Sequence, residues 1–101
     1  MFIIFAEEGL KITMTLKVYG KPDCKWCNKS KEYLDSNNIK YTYIDLSDKK
    51  NRTARKLMSD LNIKCIPVFV YDDRYKEINT ESESLYLYAL ERWLKDNNVI
   101  K

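Results

Sequence analysis

Two cysteines separated by two residues, in Cys24-Lys25-Trp26-Cys27, are the side chains of this sequence best suited to covalent chemistry. The ionised thiolate is the form that attacks a disulfide, and a second thiol nearby can resolve the mixed disulfide that results. A two-residue spacing lets a single helical turn hold both sulfurs within bonding reach. The pair directly follows a strand-like segment and a turn, which puts Cys24 at a helix start. Unpaired backbone N–H groups and the positive end of the helix dipole favour a negative sulfur there. Lys21 and Lys25 add positive potential and Asp23 opposes them; the balance predicts a lowered Cys24 pKa. Cys27, one turn inward, is then the resolving thiol. Trp26 either offers an aromatic edge to a docking partner or packs locally.

Other chemistries fare worse. A zinc site built on the pair needs two further ligands, yet Cys65 is the one remaining thiol and the chain has no His. The absence of His also removes His-based triads. No metal is expected. Pro67, at the start of a strand-like run, removes a ladder donor from that strand. A cis Ile66–Pro67 bond would bend the chain toward the helix start and leave the Ile66 backbone free to pair with a bound peptide. A lone X-Pro bond is ordinarily trans, and only its combination with the dithiol argues for cis. Cys65 reads best as a buried strand residue acting as a small hydrophobe, and alternatively as a third redox thiol near Cys24.

The elements that must position these groups follow from periodicity. Residues 16–19 alternate into Gly20 as a first strand, and 20–23 form a turn with Asp23 suited to cap the next helix. Cys27, Ser30, Lys31 and Leu34 share one face of that helix, which fades at residues 36–38. Tyr41 to Leu46 is a second strand. A second helix from about Lys49 carries Ala54, Leu57, Met58 and Leu61 on one face and stops at a left-handed Asn62. Residues 66–71 form a third strand, 72–74 a turn and 75–79 a fourth strand, together a hairpin. Thr80 and Glu83 have capping-box spacing, and Leu85, Tyr88, Ala89, Arg92 and Trp93 trace the last helix, widened by Leu87, Leu90 and Leu94. The order β-α-β-α-β-β-α predicts an α/β fold with a four-stranded mixed sheet and helices on both faces.

A chain of 101 residues with 45% apolar and 33% charged residues fits one domain, taken as 15–101, preceded by an extension over 1–14. Met14 is an alternative start. The apolar run 2–6 is short for a signal peptide, meets Glu7-Glu8 at once and lacks a leading positive charge. An odd cysteine count with one C-x-x-C fits a cytoplasmic protein. Net charge is +3 with basic and acidic residues interspersed, which disfavours nucleic acid, and no apolar run is long enough to span a membrane. A monomer is expected.

From Leu16 to Leu94 the chain resembles the glutaredoxins, in particular small phage and bacterial dithiol members. Val18-Tyr19-Gly20-Lys21-Pro22-Asp23-Cys24-Lys25-Trp26-Cys27 is similar to the family's strand-to-active-site segment, and Cys65-Ile66-Pro67 to its Thr-Val-Pro motif. The resemblance implies a thioredoxin-like fold, a cis Pro67, Cys24 as nucleophile, Cys27 as resolving thiol, and glutathione held by Lys21 and the Ile66 backbone. It implies reduction of protein or glutathione-mixed disulfides, with ribonucleotide reductase among the partners to expect. Lys64 reads best as a plain surface lysine, and alternatively as a contact to the glycyl carboxylate of glutathione. The sequence departs from the family at Lys25-Trp26, where Pro-Tyr is usual, and at Cys65, where Thr is usual. The Gly-Gly-x-Asp segment that grips glutathione is replaced by Asn79-Thr80-Glu81-Ser82, leaving Thr80 and Ser82 hydroxyls to meet a carboxylate. Two alternatives follow from these departures. One is a redoxin recharged by thioredoxin reductase. The other is a carrier of a [2Fe–2S] cluster ligated by Cys24 and glutathione.

Overall fold

The computed structural model describes residues 15–100. The extension over 1–14, with Met14, lies outside the described residues, as does Lys101. Strand β1 (Leu16–Gly20) leads into helix α1 (Lys25–Ser36), strand β2 (Tyr41–Asp45), a 3₁₀ turn (Lys49–Asn51) and helix α2 (Arg52–Asp60). Strands β3 (Val68–Tyr71) and β4 (Arg74–Glu77) and helix α3 (Glu83–Asp96) complete the chain. The expected element order therefore holds. The sheet runs β2-β1-β3-β4, with β1 and β2 parallel and the other two pairs antiparallel.

Alternation along the central strands divides the core in two. Leu16 and Val18 on β1 and Phe69 on β3 pack against Leu34 of α1 and Tyr86, Leu90 and Leu94 of α3. Tyr19 and Val68 point the other way, against Leu46, just after β2, and Met58 of α2. The helices thus cover both sheet faces, as the order predicted.

Among the described residues, left-handed backbone is supplied by Asn38, Asn62, Asp72 and Asn98, each with φ near 60°, and by no glycine. Asn62 ends α2 as expected, and Asp72 turns the β3–β4 hairpin. Gly20, read as a turn residue, is the last residue of β1, and its lack of a side chain serves close approach. A Cβ there would lie 2.6 Å from Cys27 Sγ and 2.5 Å from Tyr43 Oη.

Several boundaries differ from expectation. β3 begins at Val68 because Pro67 donates no ladder bond, and β4 covers 74–77 in place of 75–79. The face of α3 is the clearest difference. Tyr86, Leu90 and Leu94 are buried, whereas Leu85 and Tyr88 are 59% and 58% exposed. Apolar residues surround this helix on nearly every side, so periodicity alone did not fix its orientation. Leu57 of α2 is likewise 38% exposed while Met58 next to it is buried.

Candidate redox site

The parallel crossover from β1 leaves the end of that central strand and starts α1 beside the beginning of β3. Four residues, Lys21 to Cys24, make the connection. Tyr43 Oη donates to the Lys21 carbonyl (3.2 Å) and Asn28 Nδ2 to that of Pro22 (3.5 Å), which pins the loop. Cys24 itself is the N-cap. Its backbone is extended, with φ −125° and ψ 113°, and its sulfur accepts from Cys27 N–H at 3.1 Å. Asp23, expected to cap, sits one residue too early, in the exposed turn. The substitution of sulfur for a capping oxygen places the reactive atom where the helix offers its unpaired donors. No acidic residue occupies the first turn of α1 to compete for them.

Cys24 and Cys27 form a disulfide, with Cα atoms 5.1 Å apart. The two sulfurs differ in access: Cys27 is fully buried, whereas Cys24 is half-buried. Opposite Cys24 stands the loop before β3, where the Ile66–Pro67 bond is cis and the Ile66 carbonyl oxygen lies 4.0 Å from Cys24 Sγ. Pro67 is buried. Glu77 of β4 holds this loop: its Oε1 accepts from the backbone N–H of Lys64 (3.1 Å) and of Cys65 (3.0 Å).

Next to the loop opens a cleft of about 390 Å³, lined by Lys21, Arg55, Met58, Lys64, Cys65 and Ile66 among others. Three cations at its walls make it a place for anionic groups. Arg55 is fixed by donating from Nη1 to the carbonyls of Leu46 (3.1 Å) and Asp48 (2.9 Å). Of the residues expected to contact substrate, Lys21 and Ile66 line this cleft, with Pro67 directly behind Ile66. Trp26 and Thr80 do not. Trp26 packs locally: its ring stacks on Tyr86 with centroids 4.5 Å apart and planes at 19°, and Lys25 Nζ lies 5.1 Å from the ring centre. Thr80 Oγ1 accepts from Ser82 N–H (3.2 Å), and Ser82, not Thr80, caps α3 by accepting from Leu85 N–H (3.4 Å). Glu83 adds a negative charge to that first turn and pairs with Lys29 (3.2 Å). The start of α3 is already capped and carries its own anion.

Cys65 is neither a strand residue nor fully buried; it is a free, half-buried thiol in the loop. Arg55 and Glu77 escaped the sequence reading. Arg55 was hidden among the charged residues of α2, and only three-dimensional closure of β4 against the loop reveals Glu77. Ser30 was read as a residue of its helix face, and Tyr86, which the periodicity of the last helix did not single out, is its partner. The signal was a serine spaced between Cys27 and Leu34 on the core-facing side of its helix, where a buried hydroxyl must find a hydrogen bond.

A mixed sheet with a dithiol at the start of its first helix and a cis-proline loop opposite defines a thioredoxin-fold redox protein. The fold is similar to a crystal structure of a point mutant of the thioredoxin-like protein BC3987, with a TM-score of 0.62. That likeness covers 85% of this chain and 97% of the other at 23% identity, and it speaks to fold alone. The family model for glutaredoxin matches residues 16–76, and the chain belongs to the glutaredoxin family. It is also 34% identical over 55 residues to an uncharacterized glutaredoxin-like 8.6 kDa protein in the rubredoxin operon of Clostridium pasteurianum. That match spans 52% of this chain and 73% of the relative.

Proposed function

We propose that the protein is a dithiol oxidoreductase in which Cys24 is the nucleophile and Cys27 the resolving thiol. The observation that carries the reading is the contrast between the two sulfurs. One is half-exposed at the helix cap and accepts an N–H at 3.1 Å; the other is sealed one turn inside. The Cys24 thiolate attacks a substrate disulfide, one substrate sulfur leaves as a thiolate and takes up a proton, and a mixed disulfide remains. Cys27 loses its proton and attacks Cys24 Sγ, releasing the second substrate sulfur. Two electrons have then passed to the substrate, and the protein holds the Cys24–Cys27 disulfide. A thiol donor returns it to the dithiol form.

Glutathione fits the donor role through the cleft. Its glycyl carboxylate would meet Lys21 and Lys64, and its cysteinyl backbone would pair with Ile66 beside the buried Pro67. The self-capped start of α3, with Glu81 and Glu83, argues against a second carboxylate site there, so binding should be weaker than a two-ended grip provides. Disulfide-containing proteins, ribonucleotide reductase among them, are the substrate class this reading implies.

Turnover on a glutathione mixed disulfide tests the assignment. Cys24→Ser should lose activity by at least ~10³-fold, consistent with removal of a covalent nucleophile. Cys24→Ser turning over at the wild-type rate would remove Cys24 from this role. Lys21→Ala and Lys64→Ala should raise the KM for glutathione about 5- to 10-fold each, the loss of about 1–1.4 kcal/mol of charge-assisted binding. An unchanged KM in both variants would place glutathione elsewhere.

A further inference from the structure

Behind the dithiol, a file of hydrogen bonds links its turn to α3. Ser30 lies on the sealed face of α1, 0% exposed. Its Oγ is 2.7 Å from the Trp26 carbonyl oxygen and 2.7 Å from Tyr86 Oη. A carbonyl only accepts, so the Ser30 hydroxyl hydrogen points to Trp26. Tyr86, 1% exposed, therefore donates its own hydrogen to Ser30 Oγ. The Trp26 carbonyl shares its peptide group with Cys27 N–H, and that N–H donates to Cys24 Sγ at 3.1 Å. The file thus runs from Tyr86 O–H to Ser30 O–H, to Trp26 C=O, and out through Cys27 N–H to the Cys24 sulfur.

A serine bonding back to the carbonyl four residues earlier is a common local pattern. What is particular here is the second hydroxyl behind it and the sulfur in front. Hydrogen bonds in series polarise one another. Donation to an amide oxygen draws electron density from its nitrogen, leaving the N–H more positive and a better donor. We propose that Ser30 and Tyr86 are positioning residues that act on Cys24 through the Trp26–Cys27 peptide, strengthening the N–H that faces its sulfur and favouring the thiolate. The proposal rests on the reading of Cys24 as the nucleophile. Tyr86 also holds the turn by stacking under Trp26, and Tyr86→Phe keeps the ring while removing the hydroxyl.

The test is the pH profile of iodoacetamide alkylation at Cys24 in the reduced protein, followed by peptide mass spectrometry. Wild type, Tyr86→Phe, Ser30→Ala and the double variant are compared. The alkylation midpoint should rise by ~0.3 in Tyr86→Phe, about a two-fold fall in thiolate below the midpoint, and by more in Ser30→Ala. The double variant should match Ser30→Ala, because hydroxyls in series do not add. Thermal stability should follow a different order: Ser30→Ala leaves Tyr86 Oη buried without a partner, and adding Tyr86→Phe should recover part of the loss.

Unmoved midpoints would overturn the proposal, even if melting temperatures fell, since packing alone would then explain both residues. Midpoint shifts that add in the double variant would overturn it too. Should Ser30→Ala not fold, Tyr86→Phe alone decides. A wild-type midpoint at the ordinary thiol value of about 8.5 would remove the nucleophile reading and the file together, whereas a low midpoint indifferent to Tyr86 would remove the file alone.

Discussion

Cys24 and Cys27 carry the same functional group in opposite surroundings, and the proposed division of labour between them rests on that difference. The half-buried cap sulfur can meet a substrate; the sealed one can meet only its neighbour. Cys27→Ser should therefore stop at the mixed disulfide with the substrate still attached to Cys24. Gly20 sets the space behind them. Gly20→Ala drives a methyl group against Cys27 Sγ and Tyr43 Oη, and should cost about 1–3 kcal/mol by overpacking. Urea unfolding of the oxidised protein reads that loss directly, and unchanged stability would mean that Tyr43 swings clear. The dithiol was legible from spacing alone because thiol chemistry needs only two sulfurs one turn apart. The close approach at Gly20 was not, since glycine's use in a turn and its use as a gap look identical in a sequence.

At the scale of elements, the loop before β3 is shaped from outside by a strand that follows it. Glu77 takes two backbone N–H groups that the ladder leaves unpaired, and so fixes Ile66 opposite Cys24. Glu77→Ala should lower stability by about 1–2 kcal/mol and reduce turnover, while Glu77→Gln keeps an acceptor oxygen and should lose much less. Equal losses in both variants would point to the charge and not to the acceptor. The succession of strands and helices along the chain could be read from periodicity, because β1, β2 and β3 alternate or run apolar over short spans. The pairing of β1 with β3 could not. Nor could the caps. Asp23 and Thr80 have the right chemistry, yet Cys24 and Ser82 hold the cap positions, since the turn geometry decides which residue comes last before the helix. The orientation of α3 was hidden for a related reason. Its burial is chosen by Tyr86 reaching Ser30 across the core, a contact between residues far apart in sequence.

The whole molecule is two thin cores on either side of one sheet, and its response to pH carries a mark of the buried aromatic groups. Burial pushes the Tyr86 phenol up to about 12. A group whose folded pKa is raised gives its full stability below the unfolded value, near 10, and that stability drains as pH climbs through the folded value. Unfolding free energy should therefore fall by about 2 kcal/mol from this group as pH rises from about 9 to about 12. Tyr86→Phe should flatten part of that decline; an identical slope in the variant would show that Tyr86 ionises freely. Tyr41 is also pushed up to about 12, by burial and then by its bond to Asp35, and should account for some of the remainder.

Which sulfur accepts a substrate decides most directly between this mechanism and any other. Reduced Cys27→Ser protein treated with glutathione disulfide and mapped by peptide mass spectrometry answers that. A single glutathione on Cys24 is the predicted result. Adduct on Cys65 with Cys24 left free, or no adduct at all, would contradict it.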